Sequence, residues 1–525
     1  MALSREIYRK LQAIVGIEYI SQDPVICEAY TITRGGYGKD MGLERVLGKK
    51  PVCVILPRTT QEIQEILKFA NRHKIPYVAA SSYSIIHAGA RVNDCMLIDL
   101  KRMNRLEIDD THMYALVEPG VIYSQLQAQA MQRGLYITVP GGGSQVSVLA
   151  NHLMWGLSPL NYRQGMACRR ILGADWVLPD GELLKLGSRA TGEDYFWGDG
   201  LGIDIRGLVR GWVGWFGGMG IVTRMAVKLQ PFQPEPLKPI GISPETTLQL
   251  PCNRMRWYNF TMPDQESLLD ALHEIGKSEI AAAATRVPAL WRYLAQAKDK
   301  QDFWRKWDEL DKEKINNTYI IRVLLIGYTS EAQLAYEERV LMDIMEEYGG
   351  TLRRTRQTDQ SWIQSADSVR MWAMTGGYVS VELYIDTIRS SLKIGEKVAE
   401  VRKSFTPPLM EDYGDPGWFQ IIELGHMGYV ESLVYFDPNE ADDRQVADRI
   451  AYIEIPKEDI RWGGLNGFML QQSPLYLTGP AYGPNFHLWM LKIKKAFDTH
   501  NISNPPFPFD VDYLVEDVDW LRKDW

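Results

Sequence analysis

The sequence lacks the features that would tie it to a membrane or to nucleic acid. Its 525 residues contain no apolar run of about 18 residues, so no segment is expected to span a bilayer. The formal net charge is −8 and no basic tract exists, which argues against nucleic-acid binding. Residues 1–11 carry charges at Arg5, Glu6 and Arg9, so no signal-peptide core is expected there.

Cysteine is scarce as well. The five cysteines are odd in number and widely scattered, and no two of them form a CxxC pair. This spacing argues against a disulfide framework and against a zinc or iron–sulfur site. We therefore expect a reducing, cytoplasmic compartment.

Apolar and aromatic side chains are abundant. Hydrophobic residues make up 45% and charged residues 24%, which is the balance of a globular protein. A chain of 525 residues exceeds one ordinary core, so we expect two intertwined domains. The 16 Trp and 26 Tyr fit either bulky core packing with a subunit interface or an aromatic-lined ligand cavity. Composition does not distinguish core and interface packing from a ligand cavity.

The first half of the chain alternates short strands and helices. Residues 51–57 form an apolar run between prolines, which suits a buried strand. Thr59 and Glu62 then have the spacing of a capping box that begins a helix. Further elements are predicted as strands over 75–80, 96–100 and 113–118, a helix over 123–133, a hairpin over 172–186 and a strand over 220–229.

The second half predicts an α+β layer domain after a linker. Prolines crowd residues 230–251, which indicates a connection between domains. Helices and strands then mix as in an α+β layer. The predicted helices cover 299–314, 331–348, 387–403 and 484–500, and the predicted strands cover 318–328, 378–386, 418–424 and 429–436.

No GxGxxG motif opens a helix after the first strand, which argues against an ordinary Rossmann domain. Three other segments are rich in small residues, whose backbone N–H groups can approach a phosphate closely. They are residues 76–89, residues 118–121 together with 140–151, and residues 217–223. Taken singly, each is typical of an ordinary turn.

Taken together, the order and spacing of these segments resemble the FAD-binding domain of the vanillyl-alcohol oxidase and p-cresol methylhydroxylase (PCMH) superfamily. The resemblance covers about residues 50–232. It implies an α+β fold in which a PCMH-type FAD-binding domain of two α+β subdomains carries an α+β substrate cap. The FAD-binding domain would comprise residues 1–235 and the cap residues 236–460. Residues 461–525 would return to the FAD-binding domain.

The resemblance also implies which residues hold FAD. The pyrophosphate loop would be residues 79–87, which contain no glycine, so serine hydroxyls could donate to phosphate oxygens instead. The residues expected to contact FAD are Ser81, Ser82, Tyr83, Ser84, Ile85, Glu118, Pro140, Gly141, Gly142, Gly143, Ser144, Val148, Asn151, His152, Gly220, Ile221 and Val222.

We expect FAD to be bound non-covalently. Many members of the family attach FAD through a histidine, but Tyr83 stands at one attachment position and residues 429–430 at the other. Cys168 is expected to be a buried core residue. Residues 425–428 match only the first half of the metal motif of the family's hydroxy-acid branch, so no two-histidine metal site is expected.

The catalytic residues that the resemblance favours are His87, His426 and, more weakly, Tyr429. A flavin that takes hydride needs a neighbouring group to accept the substrate proton, and a histidine that is neutral near pH 7 suits this role. Either histidine could equally be structural. By this resemblance, Leu465 and Asn466 stand where phenol-oxidising members carry a Tyr–Arg pair, which argues against a para-hydroxyphenyl substrate.

We therefore expect an FAD-dependent oxidase or dehydrogenase that transfers hydride from a small alkyl-aromatic or alcohol substrate to flavin. A 2-hydroxy-acid dehydrogenase is the first alternative, and it would need an arginine clamp such as Arg322, Arg370 or Arg389. A catalytically inactive flavin-binding scaffold is the alternative of another class. The electron acceptor would be O2 or a redox partner, and the chain is expected to form a homodimer or a larger homo-oligomer.

Overall fold

Three sheets of four or more strands set the architecture. The structure, a computed structural model, describes residues 3–31, 49–82, 89–141, 143–154, 156–187, 203–211, 218–232, 239–240, 247–248, 252–286, 288, 290, 293, 297–311, 319–356, 377–410, 415–437, 440–455 and 485–506. Within them, a four-stranded and a five-stranded sheet lie in the first half of the chain and a seven-stranded sheet in the second. This arrangement of helices and sheets confirms the predicted α+β class.

The first sheet is built from the N-terminal elements. They are α1 (Arg5–Val15), β1 (Ile20–Ser21), α2 (Pro24–Ala29), β2 (Cys53–Ile55), α3 (Thr60–His73), β3 (Tyr77–Ala80) and β4 (Met96–Asp99). The strand order is β1-β2-β4-β3, with β2, β4 and β3 parallel. The predicted start of α3 is confirmed, because the Thr59 hydroxyl accepts a hydrogen bond from the Glu62 N–H at 3.1 Å. The Glu62 carboxylate bonds to the N–H of Arg58 at 2.6 Å, one residue before the expected position.

The second sheet is antiparallel throughout. The elements of this region are β5 (Leu106–Asp109), β6 (Tyr114–Val117), α4 (Tyr123–Met131), β7 (Leu135–Tyr136), α5 (Val148–Leu153), α6 (Asn161–Gln164), β8 (Ile171–Val177), β9 (Leu183–Leu186), α7 (Arg206–Val209), β10 (Ile221–Lys228) and β11 (Gln230–Pro231). The strand order is β5-β6-β10-β8-β9. β8 and β9 pair as the predicted hairpin, and Gly181 in its turn has a φ of 88°.

The proline-rich stretch 230–251 contains strand pairing that its composition did not predict. β11 pairs with β7 of the second sheet's region. β12 (Pro239–Ile240) pairs with β13 (Thr247–Leu248). These pairs are two residues long, so prolines at their ends remove little of a hydrogen-bond ladder.

The seven-stranded sheet lies in the predicted cap. Its region comprises β14 (Met255–Met262), α8 (Gln265–Lys277), β15 (Ala283–Arg286), α9 (Lys300–Asp308), β16 (Tyr319–Ile326), α10 (Glu331–Glu347), β17 (Thr351–Arg356), β18 (Gly377–Asp386), α11 (Ile388–Lys403), β19 (Trp418–Ile422), β20 (Met427–Phe436), α12 (Ala441–Arg449) and a π-helical turn (Ile450–Glu454). The strand order is β17-β14-β16-β15-β19-β20-β18. The predicted helices and strands of this half are present, although α9 ends at Asp308 rather than at residue 314. Strands β14, β15 and β17 and helices α8 and α12 were not predicted. Helices α8, α10 and α11 pack against the sheet around a core that includes Leu272, Leu341 and Phe419.

The last described segment, residues 485–506, contacts the first sheet. It begins with α13 (Phe486–Phe497). The N–H of Tyr77 donates to the Ile502 carbonyl at 2.8 Å, and the N–H of Asn504 donates back to the Tyr77 carbonyl at 2.7 Å. The buried ammonium of Lys494 donates to Asp498 at 2.7 Å and to the Ser503 carbonyl at 2.7 Å. An ion pair inside α13 thus orders the residues that complete the first sheet's edge.

Two general properties concern the described residues only. None of the described helices combines the length and the apolar character that crossing a membrane requires. Cys27, Cys53, Cys95 and Cys168 are free thiols, and the first three are buried. Cys168, which was expected to be buried in the core, is instead only half-buried, although this partial burial raises the pKa of its thiol.

Candidate functional site: a cleft between two sheets and its cap

A cleft opens between the first and second sheets. Its wall is formed by residues 79–81 at the end of β3, Pro119, one face of α5 and residues 219–222 at the start of β10. Three of the segments predicted to hold FAD therefore surround one cleft. Ser81, Gly220, Ile221 and Val222 lie in its wall.

Ser147 connects these segments to one another, although the sequence did not single it out. Its N–H donates to the Ser82 hydroxyl at 3.0 Å, and its own hydroxyl donates to the Pro119 carbonyl at 2.7 Å. The same hydroxyl accepts from the Ala150 N–H at 3.3 Å and caps the start of α5. A serine directly before the helical run at Val148 was the available signal.

The glycine-rich segment 140–144 forms a tight turn beside the cleft. The N–H of Gly143 donates to the Pro140 carbonyl at 3.0 Å, and Gly143 has a φ of 109°. The Ser144 carbonyl accepts from the N–H of Ser124 at 2.9 Å, which ties the turn to the start of α4. Pro140 is buried, whereas Gly141 and Ser144 are half-buried.

Gly220 forms a point of close backbone approach. Its φ is 98°, and a Cβ atom at this position would lie 2.2 Å from the Val177 carbonyl oxygen. Its N–H donates to the Ser503 hydroxyl at 2.9 Å, and the Lys494 ammonium donates to the neighbouring Gly218 carbonyl. Residues near 500 therefore fix the start of β10 at the cleft wall.

Part of the predicted FAD site cannot be located on this wall. Tyr83, Ser84, Ile85, His87 and Gly142 lie outside the described residues. Glu118 is half-buried, and its carboxylate accepts a hydrogen bond from the Arg105 N–H at 2.9 Å. Burial raises the pKa of Glu118 against the opposing effect of this bond. Glu118 does not itself line the cleft, whereas the next residue, Pro119, does.

Helix α5 presents two different faces. Leu149, Ala150 and Leu153 line the cleft, whereas Asn151 and His152 belong to a buried hydrogen-bond network. The Asn151 amide donates to the Tyr123 hydroxyl at 2.8 Å, and this hydroxyl lies 3.3 Å from His152 Nδ1. Burial, together with the nearby charge of Arg170, lowers the pKa of His152 to about 3. His152 is therefore neutral at physiological pH.

The cap meets the FAD-binding region through one face of β19 and β20. Trp418 lies against Gly141, and the Gln420 amide donates to the Ser158 carbonyl at 3.1 Å. Tyr429 pairs in register with Gln420 and therefore shares this face. Its ring is fully buried, with its centroid 5.7 Å from that of Trp418. The Tyr429 hydroxyl donates to Glu431 at 2.9 Å.

His426 lies at the turn that joins β19 to β20. The turn reaches the FAD-binding region through Glu423, whose carboxylate accepts from the Met166 N–H at 2.9 Å and lies 3.2 Å from Arg169. His426 itself is exposed, and its N–H donates to the Glu423 carbonyl. The expected convergence of His87 and His426 on one substrate stays a prediction, because His87 lies outside the described residues.

This geometry fits FAD. Small residues at the end of β3 and Gly220 at the start of β10 form part of the cleft wall, where backbone N–H groups can approach a phosphate closely. Comparison with known proteins agrees. Residues 51–187 match the FAD binding domain family.

Two of the curated relatives each match about a third of the chain. One is an uncharacterized FAD-linked oxidoreductase of Mycobacterium tuberculosis, 33% identical over 187 residues, or 35% of this chain and 38% of that protein. The other is a glycolate oxidase subunit of Bacillus subtilis, 32% identical over 195 residues, or 36% of this chain and 38% of the relative. The chain thus spans less than half the length of these relatives.

A solved structure matches nearly the whole chain. The crystal structure of p-cresol methylhydroxylase with substrate bound has a TM-score of 0.72 at 17% sequence identity and covers 97% of each chain. Residues 51–187 therefore match an FAD binding domain, and the chain has the fold of p-cresol methylhydroxylase.

Proposed function

We propose that this protein is an FAD-dependent oxidoreductase that removes hydride from a small alkyl-aromatic or alcohol substrate. The observation that carries the proposal is the aromatic wall of the cap. Buried Trp418 lies against Gly141 at the place where the cap meets the FAD binding domain, and Tyr429 packs beside Trp418. An apolar wall with a single hydroxyl–carboxylate pair suits an apolar substrate that carries one reacting polar group.

A 2-hydroxy acid is the second candidate substrate, favoured by the likeness to the glycolate oxidase subunit. Such a substrate needs a cation for its carboxylate. Two of the cap arginines considered for this role are otherwise engaged: Arg322 lies 4.1 Å above the Trp257 ring, and Arg389 bonds to Glu266 at 2.7 Å. Arg370 lies outside the described residues. We therefore keep the alkyl-aromatic or alcohol substrate as the first choice.

Tyr429 and Glu431 are the proposed proton acceptors. FAD, when bound, supplies the hydride acceptor. Because the Tyr429 hydroxyl donates its hydrogen to Glu431, its oxygen lone pairs can accept the proton of a substrate O–H or acidic C–H. Glu431 would then take the phenolic proton, so that no charge has to remain on the buried ring.

Anaerobic mixing of the holoprotein with benzylic alcohols and alkyl arenes, and separately with 2-hydroxy acids, tests this proposal. Loss of the yellow absorbance measures flavin reduction.

We expect Tyr429→Phe and Glu431→Gln to keep FAD and to slow reduction by about 10²–10⁴-fold. His426→Ala and His87→Ala test the histidines predicted from sequence. If flavin is reduced at the normal rate in Tyr429→Phe but slowly in a histidine variant, that histidine is the proton acceptor instead. A yellow protein that no substrate reduces would favour the inactive scaffold.

We further propose that FAD is held without a covalent bond. Tyr429 stands on the cap strand where a histidine link was considered, and its hydroxyl is engaged by Glu431. Acid precipitation should release the yellow chromophore into the supernatant. Flavin that stays with the protein pellet would contradict this part of the proposal.

The proposal also covers the compartment, the oligomeric state and the electron acceptor of the enzyme. We expect a cytoplasmic protein that forms a homodimer or a larger homo-oligomer and passes its electrons to O2 or to a redox partner. Reoxidation of substrate-reduced protein in air-saturated buffer separates the two acceptors, because a dehydrogenase would stay bleached. Light scattering during size-exclusion chromatography measures the mass against 60.0 kDa per chain.

A further inference from the structure

An arginine–aspartate ion pair lies behind the aromatic wall of the cap. Arg286, the last residue of β15, donates from Nη1 to Asp415 Oδ1 at 2.7 Å and from Nη2 to Asp415 Oδ2 at 3.1 Å. Both side chains are largely buried, with exposed fractions of 12% and 4%. A bidentate contact of this kind fixes the orientation of both partners, so it contributes geometric specificity as well as energy.

The ion pair and the aromatic wall lie on opposite faces of the seven-stranded sheet. Arg286 pairs in register with Phe419, so the two share a face. Phe419 belongs to the core beneath the cap helices, whereas Trp418 and Tyr429 form a separate cluster. Successive residues of a strand alternate between the two faces. Arg286 therefore does not face a molecule bound against Trp418, and any effect on that molecule has to pass through the backbone.

Gly417 provides this backbone connection. Its N–H donates to Asp415 Oδ1 at 2.8 Å, and its carbonyl accepts from Arg286 Nη1 at 2.8 Å. Its φ is 101°, and a Cβ atom there would lie 2.3 Å from the Glu431 carbonyl oxygen. The next residue, Trp418, pairs in register with Glu431. One ion pair thus holds the backbone beside both the aromatic wall and the proposed proton acceptor.

We propose that Arg286 and Asp415 are positioning residues that set the placement of Trp418 and Glu431 against the substrate. The pair binds both backbone groups of Gly417, which leaves this residue little freedom to move. A displacement of about 1 Å that is caused far from the reacting atoms can slow an enzyme about a hundredfold. The inference rests on the proposed function, because Glu431 is its proposed proton acceptor.

Arg286→Lys separates positioning from mere neutralisation of charge. Lysine keeps a cation beside Asp415, so the buried carboxylate is not left unpaired and the fold should be retained. Its ammonium lacks the planar fork that reaches Asp415 and the Gly417 carbonyl together. We expect FAD to be retained and the limiting rate of flavin reduction by substrate to fall at least about tenfold. A wild-type limiting rate would overturn the proposal.

A double variant tests whether the pair acts through Glu431. In a Glu431→Gln background, Arg286→Lys should slow reduction by less than about twofold further, because the group that it positions has already been removed. Losses that multiply would overturn the link to Glu431. Arg256→Lys is the matched control. Arg256 forms an ion pair with Glu338 at 2.6 Å, on β14, which β16 and β15 separate from β19, so its limiting rate should equal that of the wild type.

Fluorine NMR of holoprotein labelled with 5-fluorotryptophan tests the placement of Trp418 without any substrate. The resonance that disappears in Trp418→Phe assigns it. We expect this resonance to shift or split in Arg286→Lys and to stay unchanged in Arg256→Lys. If Arg286→Lys does not fold, Asp415→Asn replaces it, because asparagine keeps an oxygen acceptor for the Gly417 N–H but loses the charge.

The two measurements keep the inference and the proposed function apart. An unchanged Trp418 resonance in Arg286→Lys would overturn the inference, whatever the rate of reduction. A shifted resonance in a holoprotein that no substrate reduces would support the inference about Trp418 and refute the proposed activity alone.

Discussion

The indole of Trp418 lies against the backbone of Gly141, so that a side chain at Gly141 would begin 3.4 Å from the indole ring. This contact joins a cap strand to the turn beside the cofactor cleft. A methyl group at Gly141 would make ordinary van der Waals contact with the indole, so the two positions share one packed surface. The position of the aromatic wall therefore depends on a residue of the other domain.

Removal of the Trp418 ring should widen the substrate site. We expect Trp418→Ala to retain FAD and to raise KM for an apolar substrate by at least about tenfold, since losing a large buried aromatic contact costs about 1.5–3 kcal/mol. Trp418→Phe keeps an aromatic wall and should lie close to the wild type. Equal KM values in all three proteins would place the substrate away from this wall.

The contact between Ser82 and Ser147 locates the proposed pyrophosphate site. Ser82→Glu should place a carboxylate where the phosphates bind and largely abolish FAD binding by charge repulsion. Ser124→Glu is the matched control, because Ser124 is exposed in the first turn of α4, where a negative charge is favourable. The flavin-to-protein absorbance ratio after purification measures the difference. A fully loaded Ser82→Glu protein would exclude this placement.

Gly220 tolerates no side chain. We expect Gly220→Ala to lower the free energy of unfolding by about 2 kcal/mol or more, because its φ of 98° is strained for alanine and the Cβ atom would meet the Val177 carbonyl. Gly207→Ala is the control, since a Cβ atom at Gly207 meets nothing within 4 Å. Thermal unfolding of the two holoproteins compares them. A Gly220→Ala protein as stable as Gly207→Ala would contradict the backbone conformation described.

The buried neutral ring of His152 makes stability depend on pH. The pKa of His152 is lowered from its ordinary value of 6.5 to about 3 by burial and by the charge of Arg170. Between these values the unfolded chain binds a proton that the folded chain does not, so stability falls as the pH drops below 6.5. From pH 7.5 to pH 5 the expected loss is about 2 kcal/mol.

Thermal unfolding at the two pH values, compared between wild type and His152→Gln, isolates this contribution. The variant should be less sensitive to pH because glutamine does not titrate. His112→Gln is the control, as His112 is exposed and hydrogen-bonded to Asp109. The same pH response in the wild type and in His152→Gln would show that another group dominates.

The sequence was informative where the signal is local. The small residues around Gly220 and the turn 140–144, together with the helical spacing after Thr59, are read from neighbouring residues, and the structure has these elements in place. At Gly220 the sequence indicated a cofactor contact, but it did not indicate that the Gly220 N–H donates to the Ser503 hydroxyl. That partner lies 283 positions further along the chain.

The polar groups of the candidate site could not be predicted for a similar reason. Arg170 stands beside a strand start and His152 inside an apolar helix. Neither position indicates from the sequence that some of their buried polar atoms have no hydrogen-bond partner among the described residues. Glu431 was not predicted as a site residue, and its bond to Tyr429 follows from their i, i+2 positions on one strand face. Such relations arise only once distant strands are packed.

The contact between Gly220 and Ser503 has a consequence for biosynthesis. The ribosome synthesises Gly220, in the wall of the cleft, 283 residues before Ser503, whose hydroxyl accepts the Gly220 N–H. At about 5–20 residues per second, roughly 15 to 60 seconds separate the two. During that interval the nascent FAD binding domain lacks the hydroxyl that holds Gly220 and the hydrogen bonds to Tyr77. Stable cofactor capture should therefore be one of the last events in the maturation of this chain.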